Sequence, residues 1–205
     1  MATRVFTHLY DNYADARQTV EALEAAGISQ ADISIVGNNA DSVHTGAATQ
    51  TDGVSDATKT ATGATTGTVL GGGLGLLTGL GLLAIPGVGP VIAAGWLIAT
   101  VTGAGIGAAG GGVLGSLIHA GVPEEHAHAY TEGVRRGGTL VSVRADDSKA
   151  AAIESVLEGR TSAAADMTTR RTDYTSTGWE KFEETAPHYT PDQVAAERAR
   201  YNRTS

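Results

Sequence analysis

Between residues 60 and 123 the chain carries no Lys, Arg, Asp or Glu, and glycine recurs through this run at a fixed interval. Gly67, Gly71, Gly75 and Gly79 form one series, and Gly103, Gly107, Gly111 and Gly115 form another. Residues four apart stack on one face of an α-helix, so each series predicts a flat, small-residue groove along a helix. Leucines such as Leu70, Leu74, Leu77 and Leu80 stand beside the first groove. Glycine weakens a helix by roughly 1 kcal/mol relative to alanine. Helices that accept so many glycines gain from close backbone approach, as in the small-xxx-small packing of membrane helices. Between the series, Ile85-Pro86-Gly87-Val88-Gly89-Pro90 cannot continue a helix, because proline lacks the N–H and clashes with the preceding turn. The pattern predicts a Gly-rich apolar helical hairpin over residues 63–121, turning at Pro86, Gly87, Gly89 and Pro90.

The flanking sequence reads differently. Val5-Phe6-Thr7-His8-Leu9-Tyr10 is β-branched and aromatic and predicts a strand with Val5, Thr7 and Leu9 on one face. Asp11 or Asn12 then caps a helix that buries Ala16, Val20 and Leu23 and stops at Gly27. Ile33-Ser34-Ile35-Val36 is a second strand, giving a first βαβ half over residues 1–37. Residues 38–62 are Asn, Asp, Thr, Ala, Gly and Ser without hydrophobic periodicity, and read as a polar linker.

After the hairpin, Pro123-Glu124-Glu125 opens a helix whose acids face the positive end of its dipole, with Arg135-Arg136 at the negative end before Gly137-Gly138. A strand at 139–144 follows, then a helix capped by Asp146 or Asp147, and a faint fourth strand at 166–170. Residues 122–170 thus form a helix and a second βαβ half. The expected fold class is α+β: a ferredoxin-like βαβ…βαβ sandwich interrupted by the apolar hairpin. Residues 171–205 predict a polar, mostly disordered tail with a short helix from Pro191 to about Tyr201, able to dock through Trp179, Phe182 and Tyr189.

This order of pieces resembles the bacterial general stress protein 17M-like, or heat-induced stress protein, family. The resemblance is carried by the opening strand and helix and by the Gly-rich insertion with its Ala84-Ile85-Pro86-Gly87-Val88-Gly89-Pro90 turn. It is carried also by Gly121-Val122-Pro123-Glu124-Glu125 leading to Tyr130, Gly133 and Arg135-Arg136-Gly137-Gly138. It spans roughly residues 5–158 and implies a stress-linked protein that is not an enzyme, with no catalytic residues to carry over.

Other chemistry finds little support. Gly105-Ile106-Gly107-Ala108-Ala109-Gly110 matches a dinucleotide fingerprint by letter, but that motif needs a strand before it and an acid ending the next strand. Helix packing accounts for these glycines better, which leaves a nucleotide-binding regulatory protein as a remote alternative. His126 and His128 are two apart and point to different faces of a helix, so a metal site is not expected. No cofactor is called for. A net charge of −8 and an isoelectric point near 5.1 argue against nucleic acid, and Arg170, Arg171, Arg198 and Arg200 read as solvated surface. Cysteine is absent, which excludes disulfides and thiolate chemistry.

Two destinations fit the apolar hairpin. Segments 66–85 and 90–118 meet the ~20 residues needed to cross a bilayer. The favoured expectation is insertion into or association with the cytoplasmic membrane, lipid as partner, Trp96 as an interfacial anchor and the soluble parts on the cytoplasmic side. The N-terminus, with no long apolar region, reads as lacking a secretory signal. The alternative is a cytoplasmic homo-oligomeric scaffold whose hairpins bury one another, since large exposed apolar patches are rare in monomers.

Overall fold

The computed structural model of the chain describes residues 3–41, 80–103, 112–159 and 165–201. A five-stranded antiparallel sheet has the order β1-β5-β2-β4-β3, with β1 at Thr3–Tyr10, β2 at Ile33–Asn38, β3 at Gly81–Ile85, β4 at Gly89–Gly95 and β5 at Thr139–Asp146. Helix α1, Tyr13–Ala25, connects β1 to β2. It starts where the Asn12 side chain accepts from the Asp15 N–H at 2.9 Å, satisfying one of the donors a helix start leaves open. Because β5 runs antiparallel to both β1 and β2, it lies wedged between two parallel strands, the arrangement of a split βαβ unit.

Strand alternation sorts the side chains into two cores. Ile33, Ile35, Val141 and Val143 face α1 and α5, Asp147–Glu158, where Ala16, Val20, Leu23, Ile153 and Leu157 meet them. Leu9, Val36, Val91, Ala93 and Leu140 face the other way, against α2 (Trp96–Gly103), α3 (Gly112–His119) and α4 (Glu124–Arg135). The sheet is therefore covered on both faces.

The structure corrects the helical hairpin. Residues 81–85 and 89–95 are strands, and the bend at Pro86, Gly87, Gly89 and Pro90 is the turn of a β-hairpin that extends the sheet beyond β2. The reason lies in pairing: Ser34 to Asn38 offer the outer edge of β2 a ladder, and β4 completes it from Gly95 to Val91. Among the described residues of the run, Trp96–Gly103 and Gly112–His119 are helical. Gly103 ends α2, whereas Gly115 belongs to α3, whose first residue Gly112 has φ +78 and so leaves the right-handed helical region. Gly67, Gly71, Gly75, Gly79, Gly107 and Gly111, like the fingerprint at 105–110, lie outside the described residues.

Among the described residues no helix is long and apolar enough to cross a membrane. Trp96, expected at a lipid interface, is buried at the start of α2 with the Arg144 guanidinium over its ring.

Two further expectations change. The faint strand at 166–170 is instead the start of α6, Met167–Ser176, whose Asp166 cap accepts from the Thr168 N–H at 2.9 Å. The fourth strand of a βαβ…βαβ sandwich is thus missing beside β1 among the described residues. The tail, expected to be mostly disordered, is ordered over 165–201: α6 and α7 (Pro191–Tyr201) are joined by a loop, and Tyr174, Phe182 and Val194 are buried. The short helix at Pro191 forms where the sequence places it.

Gly95 marks where β4 gives way to α2. Its φ is +96, and a β-carbon there would collide with the Ile33 carbonyl oxygen and the Ser34 backbone of β2. Gly95→Ala is expected to destabilise the fold by about 2–4 kcal/mol, read as a lowered urea midpoint with an unchanged slope. His8 supplies a pH-dependent counterpart, since burial pushes its imidazole below the ordinary histidine value. A depressed folded value means the unfolded chain takes up the proton first. Stability is therefore full above the ordinary histidine range and declines as the pH falls through it. Replacing His8 by Asn should flatten that part of the stability–pH curve, measured by thermal melts from neutral to mildly acidic pH.

Candidate functional site

The C-terminal end of α4 gathers most of the buried charge. Glu132 is fully buried, and Arg135 and Arg136 follow it at the helix spacings of three and four. Arg136 Nε donates to Glu132 Oε1 at 2.6 Å and Arg135 Nη1 to Glu132 Oε2 at 3.1 Å. A carboxylate out of water is tolerable only when paired in this way. Two cations also suit the negative end of the helix dipole. Burial works against the Arg136 charge, but the Glu132 carboxylate bonded to it outweighs that and holds its pKa above the usual arginine value.

The tail completes this cluster. The Arg136 guanidinium lies 4.3 Å from the centre of the Tyr174 ring on α6, and Arg135 lies 4.9 Å from that of Tyr189. Such stacks contribute about 0.5–2 kcal/mol each, more when water is excluded. Arg135 Nη2 also donates to the Pro187 carbonyl at 2.8 Å, and Arg136 Nη1 reaches Glu197 of α7 at 3.5 Å. Burial raises the Tyr174 hydroxyl pKa far above the normal phenol range, so the ring stays neutral beside the cation.

Three more arginines tie the tail down. Arg198 of α7 donates through Nε to the Gly137 carbonyl at 2.8 Å and through Nη2 to the Asn38 carbonyl at 3.1 Å, and it pairs with Asp41. Asn38 in turn donates its side-chain amide to the Val134 and Arg135 carbonyls at the end of α4, which meets acceptors a helix end leaves open. Arg170 pairs with Asp11, and Arg171 with Glu125. The solvated-surface reading of Arg170 and Arg198 is thus replaced: both are largely buried ties between tail and body.

The predicted turn residues lie under the same tail. Gly87 has φ +72, and a β-carbon on it would come within 2.7 Å of the Glu184 backbone and 2.8 Å of the Phe182 ring. Glycine is needed there both for its backbone angle and to let the tail pass. A β-carbon on Gly89 would meet the His188 side chain at 3.5 Å, while Pro86 and Pro90 stay exposed. Of the eight ladder glycines only Gly103 and Gly115 lie in described elements, at the end of α2 and within α3.

The remaining polar features do not converge on a reaction. Glu124 and Glu125 form the first turn of α4, as their dipole role predicts. No group of three His, Asp or Glu residues stands together as a metal site among the described residues. A shallow cleft of about 310 Å³ is lined by Asp32, Arg144, Ala145, Asp146 and Lys149, but its charges neutralise one another, Arg144 Nε pairing with Asp32 at 3.1 Å. What the site is built to do is hold a peptide segment. Sequence reasoning missed Glu132, Asn38, Asp41 and Tyr174 as its members. The Glu132–Arg136 spacing was a readable signal, whereas their burial by a segment some sixty residues on (Arg136 to Glu197) was not.

Removing one partner of a buried ion pair leaves the other charge uncompensated, at about 3–5 kcal/mol. Glu132→Gln should therefore cost about 3 kcal/mol in chemical denaturation. It should also loosen the tail, seen as a change in Trp179 emission before global unfolding.

No curated protein and no solved structure matches the chain. The matched stretch, residues 5–83, takes in β1, α1 and β2 and ends within β3, short of the span to residue 158 over which the sequence resembles the general stress proteins. The family model that matches residues 5–83 is described as the heat induced stress protein YflT domain, so it is this N-terminal part that is similar to that family.

Proposed function

We propose that the protein serves the stress response without catalysing a reaction, by self-association through the outer edge of its sheet. The observation that carries this is β3. Its five residues, Gly-Leu-Leu-Ala-Ile, hold no charge and no proline, the devices by which edge strands resist pairing. Leu82 and Leu83 are half-buried and Ala84 is exposed. A second copy of β3 fits this edge through main-chain hydrogen bonds and matching leucines. The uncharged run that leads into β3 adds apolar surface a lone chain in water cannot readily keep exposed. The β1-β5-β2 core is read as a ferredoxin-like half whose fourth strand is replaced by α6, a shape that often hosts regulatory dimerisation.

Membrane association is the second reading, favoured by the charge-free stretch from 60 to 123 and by Ile118, exposed to 40 % at the end of α3. Lipid would then be met at a surface next to the sheet, on the cytoplasmic side. Ala84→Lys separates the two, since it adds a charge at an exposed edge position without touching either core. Analytical ultracentrifugation should find an oligomer for the native chain and a smaller species for Ala84→Lys. A native monomer, or an unchanged particle in the variant, sinks edge pairing. Protein that stays with the membrane pellet after a carbonate wash and leaves it only in detergent supports lipid instead.

A further inference from the structure

The loop between α6 and α7, residues 179–190, crosses the β3–β4 turn as a strap, with the Phe182 ring buried over Gly87 and His188 over Gly89. One side chain of the body holds its middle. His128, on the second turn of α4 and only 16 % exposed, receives the Phe182 backbone N–H on Nδ1 at 3.2 Å. A ring nitrogen accepts a hydrogen bond only while it is unprotonated; an imidazolium donates at both nitrogens. We propose that protonation of His128 opens this strap, making the covering of the β3–β4 turn dependent on acidity across the range where histidine changes charge.

The groups around His128 decide the direction. On its own helix, the Glu124 carboxylate lies 3.7 Å from Nε2. From α6, Arg171 is occupied by Glu125. The turn presents Pro86, Gly87, Val88, Gly89 and Pro90, none of which titrates. The strap brings Glu180, Lys181, Glu183, Glu184 and His188, all exposed, so water and salt screen their pull on the ring. Acid therefore replaces an acceptor by a donor facing the Phe182 N–H, while Glu124 offers the new charge a partner away from the strap. The strap's other ends do not share this dependence, because Tyr174 and the Arg136 and Arg198 ties stay as they are. Opening is local, between α6 and α7.

Hydrogen exchange of the full-length protein, read at the Phe182 amide and corrected for the intrinsic pH dependence of exchange, tests this. Protection should fall on the order of fivefold between about pH 7.5 and about pH 5.5, the change expected for loss of one hydrogen bond. His128→Ala should show the lower protection at both pH values. His188→Gln should leave the response intact. Phe182 protection that is independent of pH in the native chain, or that keeps its full pH dependence in His128→Ala, overturns the proposal.

Discussion

The fold depends on β5 entering between β1 and β2. Those two strands run parallel and cannot bond to each other at that separation; β5 supplies ladders to both, from Thr3–Asp146 through Tyr10–Thr139 on one side and from Ile33–Val143 to Gly37–Thr139 on the other. Its side chains alternate between the two cores, Leu140 on one and Val141, Val143 and Ala145 on the other. One strand thus joins both hydrophobic layers. Each partner it pairs with is more than a hundred residues away, so this is the costliest contact to close and the one that makes the others possible.

The sequence was legible where several local signals coincide. β1, α1 and β2 carry strand composition, an Asn12 cap and a Gly27 stop, and all three form where expected. The α4 helix begins after Pro123 and ends at its arginines, and Asp146 caps α5 through Ser148. Misreading set in where one signal stood alone. Glycine at intervals of four on either side, at 67–79 and 103–115, makes 81–95 read as part of a helical hairpin, but a short apolar run has no periodicity that distinguishes a buried strand from a buried helix. The arbiter was tertiary: β2 had a free edge, and β4 took it. Likewise 166–170 reads only as a faint strand, whereas Asp166 in capping position was the better guide.

The candidate site was the least legible part. Arg135 and Arg136 read as dipole partners, which they are, yet nothing near them in sequence reveals that Tyr174, Tyr189 and Glu197 will close over them. A tail of polar composition looks disordered because its few apolar residues, Tyr174, Phe182 and Val194, are spaced too widely to form a core of their own. They need only fill places left by the body, and Gly87 and Gly137 leave such places: a β-carbon at Gly137 would press on Val194 at 2.7 Å.

Order of synthesis gives the docked C-terminus a temporal meaning. The uncharged run emerges from the ribosome well before residues 139–146, and at common elongation rates the interval is on the order of several seconds. During that time β4 can pair with β2 and β3, but the Ile85 and Val88 side chains have no cover from Phe182. Helix α7, made after the strands it rests on, seals the corner where Asn38, Asp41 and Gly137 meet. A nascent chain of this protein is therefore at its stickiest midway through translation, which is where a holding chaperone has most to grip.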